Sequence, residues 1–306
     1  MGVCMIWPSR KRHHQPKIWP ARRGMTLCIA AICDHAVGKE PKIVLCADLE
    51  RQSEGVGSSE TEDKLGFVKK GWPTLIAGTI ARANDLIDIY AGYLNEHLKD
   101  MDEFSFAEHM RKPAYIQKEN RVDEFLRQTY AFDRTYFYGE GSQKLPESFI
   151  SKVAGEIEKI KLDASLIITG FRQETYYSDD SVDDRPFLSV IDEAQGLLGT
   201  LEDEYGAIGS GTYVALASLY RREQESTDSL ERTLYNVYEA NRLSEEVPGV
   251  GKNLIAMYVL RKSGVVQEVT ESGYEYFKKL YARYGPRNIK DDAAFEMKDE
   301  FFEDIQ

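Results

Sequence analysis

The sequence is poor in the residues that build the most familiar sites. It holds 4 cysteines and 5 histidines among 306 residues. Cys4, Cys28, Cys33 and Cys46 form no CxxC pair, which removes zinc-ribbon and thioredoxin-type chemistry. Three of them lie in apolar, strand-like runs, as free core thiols do in a reducing compartment. His13, His14, His35, His97 and His109 form no HExxH and accompany no GxSxG, so zincin and Ser-His-Asp readings lose their carriers. There is no Walker loop. Residues 247–252 (VPGVGK) have glycines and a lysine but neither the spacing nor the trailing Ser or Thr, and they read as a turn. No run approaches the roughly 20 apolar residues of a membrane-spanning helix. No repeat of fixed period is present. An excess of positive charge is also lacking: the net charge is −12, which speaks against nucleic acid or an anionic membrane as a partner for the whole chain.

What is present is ordinary globular composition, 42% hydrophobic and 11% aromatic, with enough length to bury a core. Residues 1–25 stand apart. They carry Arg10, Lys11, Arg12, Lys17, Arg22 and Arg23 and no acid. They lack the apolar stretch of a secretory signal, and Ile6 occupies the place where a myristoylation signal needs Ser or Thr. This leader reads as a propeptide or as sequence upstream of the true start. Residues 26–285 read as one domain and 286–306 as a loose acidic tail, in a cytoplasmic protein.

Residues 26–33 (TLCIAAIC) and 42–47 (KIVLCA) are short apolar runs about a polar turn, which predicts a hairpin. Residues 49–63 are polar and read as loop. Residues 64–68 and 73–77 predict a second hairpin turned at Lys70–Gly71. From Ile80 the period changes: Ile80, Ala83, Leu86, Ile87, Tyr90 and Leu94 keep the spacing of one buried helix face. Further helices are expected over 118–132 and 146–161, separated by a Gly-rich stretch. Strands follow over 164–170 and 187–191, with the Asp-rich piece 178–185 as a loop between them. Helices are expected over 212–224 and 228–244, the second capped by Asp228. Strands over 253–260 and 265–269 precede a last helix over 274–284. Runs of strands alternating with runs of helices predict an α+β fold of antiparallel sheets with helices outside them.

Five positions could carry chemistry. Thr26 opens the first strand directly after the leader. Were it the first residue, it would hold a hydroxyl and an α-amine together, and an amine of pKa near 7.7–8.0 can take the hydroxyl's proton at neutral pH. Such a nucleophile needs a nearby cation, an acid to orient it and an oxyanion hole. Asp48 ends the second strand, Lys64 begins the third, and Gly78 offers a corner amide where a substrate backbone can come close. Gly209–Ser210–Gly211 opens a later helix and fixes Ser210 there. Taken singly, each has a plainer reading: a turn aspartate, a solvated lysine, a Gly-Ser-Gly turn.

Taken in order, the segments TLCIAAIC, KIVLCAD, DKLGFV, LIAG and IGSG resemble the proteasome β-subunit and its bacterial relatives, which are N-terminal-nucleophile (Ntn) hydrolases. The resemblance spans residues 26–270 and is sharpest over 26–90. It implies a four-layer αββα sandwich and a threonine-type endopeptidase that needs no metal or organic cofactor. By position it implies Thr26 as nucleophile, Lys64 as the cation beside it, and Asp48 as that lysine's partner. Gly78 would supply the oxyanion amide, and Ser210 would contact the terminal amine. Arg51, Glu62, Ile76, Ile80 and Asn84 would line the pocket before the cut, and Gln52 would pair with substrate. The implied partners are a peptide or unfolded protein, further copies of the chain in a ring, and an ATP-dependent unfoldase.

The sequence departs from that pattern in places. Where family members carry an acid and then Ser-Gly-Gly, this chain has Ser244–Glu245–Glu246–Val247, and Glu246 is the best substitute. Met25, not glycine, precedes Thr26, so a start at Met25 followed by methionine removal would expose the threonine. Two other readings of the same residues are a non-catalytic ring or scaffold subunit and a small-molecule amidohydrolase.

Overall fold

A computed structural model describes residues 26–49, 64–98, 101–175, 182–248, 250–251, 255–285 and 298–305. The leader, most of the 49–63 loop, and Arg51, Gln52 and Glu62 lie outside the described residues.

The first strand, β1 (Leu27–Cys33), is apolar on both faces because both are covered. Cys28, Ala30 and Ile32 join the core between two sheets, while Leu27, Ile29, Ala31 and Cys33 join a core against helices. β2 (Lys42–Asp48) pairs with it antiparallel, Cys28 opposite Ala47. β3 (Leu65–Lys69) and β4 (Trp72–Gly78) make the second expected hairpin. On α1 (Ile80–His97) the expected stripe is buried at Ala83, Leu86, Ile87, Tyr90 and Leu94.

The next helix is longer than its pattern. α2 runs Glu103–Tyr130, starting well before residue 118 and passing through Pro113. Its start is fixed by a reciprocal cap between Asp102 and Ser105. The Gly-rich stretch is not all loop, because α3 (Arg134–Tyr138) and α4 (Gly141–Lys144) fill it before α5 (Glu147–Ile157). A satellite core of Val122, Leu126, Phe137 and Val153 explains the first of them: α3 buries Phe137 between α2 and α5, and Leu145, just after α4, packs against the same core.

β5 (Ala164–Thr175) and β6 (Val182–Asp192) extend further than expected, so Asp183 and Asp184 belong to a strand rather than to a loop. β7 (Leu197–Glu202) and β8 (Tyr205–Gly209) had no counterpart in the sequence reading. After α6 (Thr212–Arg221), α7 (Leu230–Ser244) is capped by Ser229, whose hydroxyl accepts the Arg232 N–H. Asp228 instead accepts the Glu225 N–H in the preceding turn. β9 (Ile255–Arg261), β10 (Val266–Val269) and α8 (Glu271–Tyr284) follow. The expected tail is not loose at its end: Phe301 is buried and β11 (Phe302–Ile305) pairs with β10.

The strands form two antiparallel sheets, β11-β10-β9-β2-β1-β8 and β3-β4-β5-β6-β7. One core fills the space between them. A second joins the first sheet to α6, α7 and α8, and a third joins the second sheet to α1 and α2. The fold is α+β, with helices on the outer faces of the sheets. Among the described residues no helix is long and apolar enough to cross a membrane.

Candidate active site

Strand ends meet at one end of the two sheets. β1 begins there, β2 ends there, β3 begins, β4 ends and β8 ends. Antiparallel pairing brings alternate ends of successive strands together, and so it gathers Thr26, Asp48, Lys64, Gly78 and Ser210 from positions far apart in sequence.

Asp48 is the hub. Its carboxylate is fully buried and accepts from three donors. The Leu27 N–H, one residue after Thr26, donates to Oδ2 at 2.8 Å. The Gly251 N–H reaches the same oxygen at 3.3 Å. The Lys64 ammonium donates to Oδ1 in a short, buried ion pair. Burial pushes the Asp48 carboxyl above the ordinary carboxylate range, opposed by the Lys64 charge and by the three donors. A buried pair like this one is a poor stabiliser, because desolvation offsets the attraction. Its presence therefore asks for another reason.

Thr26 is held from the other side. The Ser210 N–H donates to its carbonyl oxygen at 2.7 Å. That contact depends on Gly209, whose φ is +99° and where a Cβ would come 1.9 Å from the Thr26 oxygen. By the alternation of the pleat, Thr26 shares the parity of Cys28, Ala30 and Ile32, the face between the sheets. Thr26 itself is 6% exposed.

Ile76 closes the circuit. Its N–H donates to the Lys64 carbonyl at 3.0 Å, and its carbonyl accepts the Cys28 thiol at 3.3 Å. Burial pushes the Cys28 thiol up to about 12. Cys28 therefore remains a thiol at neutral pH and is unreactive there. Two residues beyond Ile76 is Gly78, exposed, with φ +96° at the strand-to-helix corner. Asp163 packs behind this corner, its carbonyl accepting the Thr79 N–H.

No protein-family model matches the sequence, and no curated protein does.

Of the pocket residues expected from sequence, Ile76 is buried in the core beneath α1, Ile80 is half-buried, and Asn84 is exposed one turn further along α1. Glu246 is not brought to the cluster. It is exposed in the turn after α7, while Glu245 pairs with Arg242. From that segment Ser244 packs against Gly211, and Gly251 reaches Asp48. Sequence reasoning missed the Gly251 amide, since a contact spanning 203 residues leaves no local trace. The stretch 247–252 does contain a turn, and that turn delivers a donor. Among the described residues no cluster of three or more His, Cys, Asp or Glu is arranged to hold a metal ion.

Proposed function

We propose that the protein is a threonine-type endopeptidase of the proteasome β-subunit kind, an Ntn hydrolase whose nucleophile is Thr26 after residues 1–25 are removed. The observation that carries this reading is the double tether at Thr26. Asp48 grips the amide just after it while holding Lys64, and the Ser210 amide grips its carbonyl. A buried charge pair costs desolvation, and such pairs cluster at reacting centres, which favours a chemical role for the residue it is wired to.

The chemistry is acyl transfer. With its α-amine free, Thr26 loses its hydroxyl proton to that amine as the oxygen attacks the substrate carbonyl. The Lys64 charge disfavours protonation of the amine and so keeps it neutral, able to accept the proton, at neutral pH. The Gly78 amide takes up the negative charge that develops on the carbonyl oxygen. The C–N bond breaks, the amine leaves with the proton, and an ester on Thr26 remains. Water then attacks the ester, giving a carboxylic acid and restoring the hydroxyl. The two-layer sheet packing and its outer helices are compatible with the αββα Ntn sandwich. Assembly into rings, delivery of unfolded substrate by an ATP-dependent unfoldase, and a cytoplasmic location belong to the same proposal.

The test is intact mass together with turnover. Untagged protein from cells is expected to lack residues 1–25 and to cleave unstructured peptides, and Thr26→Ala is expected to abolish cleavage. Retention of the leader alongside full activity would falsify the mechanism.

A further inference from the structure

The free edge of the first sheet borders a cleft of another kind. β8 pairs with β1 on one side only, and a cavity of about 420 Å³ runs along its other side. That volume lies within the range of small-molecule sites, about 300–1,000 Å³. The rise along a strand puts Tyr205, at the cleft, roughly 14 Å from Gly209, the residue beside Thr26.

Three elements wall the cleft, because it wraps round an edge. Val190, Leu197 and Glu202 come from the face of the second sheet that is turned toward the first. Glu202 lies on that face because it stands opposite Leu188. Leu216, Ala217 and Tyr220 come from α6. β8 supplies the edge itself, with Tyr205 and Ala207 turned to the helix side and Gly206 to the sheet side. The bare Gly206 lets the Glu202 stem lie against the strand, since a Cβ there would come 3.8 Å from the Glu202 Cγ. Gln195 crosses the edge, its Nε2 donating to the Asp192 carboxylate at 2.7 Å and to the Ala207 carbonyl at 3.3 Å.

The wall is mainly apolar, and its polar heads lack a cation. No lysine or arginine lines the cleft among the described residues. Within the same residues the Glu202 carboxylate makes no ion pair or hydrogen bond, and neither the Tyr205 nor the Tyr220 hydroxyl has a partner. Burial, and then the Asp203 charge, raises the Glu202 carboxyl above its ordinary range. Burial, and then Glu204, Tyr220 and Glu202, does the same to the Tyr205 hydroxyl. The three heads are thus within electrostatic reach of one another, and every charge acting on them is of one sign. An uncompensated acid on an apolar wall, beside two aromatic rings, matches a cation that carries apolar surface of its own.

We infer that this cleft binds a small organic cation, an ammonium on an apolar stem, with its charge at Glu202 beside the Tyr205 and Tyr220 rings and its stem on Leu197 and Leu216. The site is separate from Thr26, and its occupancy does not depend on the peptidase reading.

The test is calorimetric titration of the full chain at neutral pH with 2-phenylethylamine, with 3-phenylpropionate, which has a similar shape and the opposite charge, and with methylamine, which has the charge without the stem. 2-Phenylethylamine is expected to bind saturably, one per chain. Methylamine should bind at least about tenfold more weakly and 3-phenylpropionate not at all. Glu202→Gln keeps the shape of the wall and should weaken 2-phenylethylamine roughly tenfold, the weight of one charge-assisted contact. Tyr220→Ala, at an exposed position, should weaken it about threefold. Asp203→Asn, exposed and outside the lining, should change it less than about twofold. The inference is overturned by any of four results: no saturable binding of 2-phenylethylamine, equal binding of 3-phenylpropionate or of methylamine, undiminished binding in Glu202→Gln, or a loss in Asp203→Asn as large as that in Glu202→Gln.

Discussion

Two lysines mark the two ends of one five-residue strand and have opposite fates. Lys64, just before β3, is buried against the Asp48 carboxylate. Lys69, its last residue, is half-buried over an indole ring, with no ion pair to a carboxylate among the described residues. The chemical group is the same, and its surroundings decide what it can do. A buried cation with a fixed acid is an electrostatic fixture that cannot reorganise, which suits a reacting centre. A half-solvated cation on an aromatic face keeps part of its hydration and is free to reorient.

The contrast can be broken most sharply at Thr26. Thr26→Ala should reduce peptide hydrolysis by at least about a thousandfold while leaving the melting temperature nearly unchanged, as measured by turnover and calorimetry on the same preparation. Lys64→Met comes next, because it strands the buried Asp48 charge. Denaturant titration at neutral pH should show a loss of about 3–5 kcal/mol. Adding Asp48→Asn should restore most of that stability and none of the activity, since the asparagine oxygen can still accept the Leu27 N–H. If the double variant were as unstable as the single one, the ion pair would be holding the fold rather than serving the site.

Gly209→Ala should cost at least about 2 kcal/mol by the same titration, because both its φ and its approach to Thr26 exclude a Cβ. A smaller effect concerns pH. Native Asp48 keeps its proton to a higher pH than aspartates in the unfolded chain. Its contribution to stability is therefore fully present below the unfolded value and is lost as pH rises through the native one. Activity should run the other way, falling on acidification at a pH above the ordinary aspartate value of about 3.9. Asp48→Asn should remove this stability slope, which melting temperatures across a pH series would reveal. The smallest effect is at Lys69: Lys69→Gln should change stability by less than about 0.5 kcal/mol, in contrast to Lys64→Met.

Much of the fold could be read locally. The two hairpins, the α1 stripe and the last helix follow from apolar period and turn residues, because each is stabilised mainly by near neighbours in sequence. The failures share a cause. α2 begins at a polar cap and carries Pro113, so its first turns lack a clean stripe. α3 is held by the surface that α2 and α5 offer Phe137. β8 is short and glycine-bounded, and it is a strand because β1 pairs with it from almost 180 residues away. At the candidate site, Thr26, Asp48, Lys64 and Gly78 could be picked out because they stand at strand ends, and Ser210 because Gly-Ser-Gly opens a helix. The donors that complete Asp48 could not be, since backbone amides carry no residue-type signal.

The strand order of the first sheet also sets a timetable. β1 and β2 are made early, but their outer neighbours β8 and β9 come only after most of the chain, whereas β3 to β7 pair strictly with their neighbours in sequence. Long-range pairings of this kind close late in folding. Ser210 and Gly251 arrive with those late elements, so the tethers around Thr26 form only after most of the chain has emerged. An unfinished chain has the threonine without its surroundings, and on the proposed mechanism it cannot cleave until the fold is nearly complete.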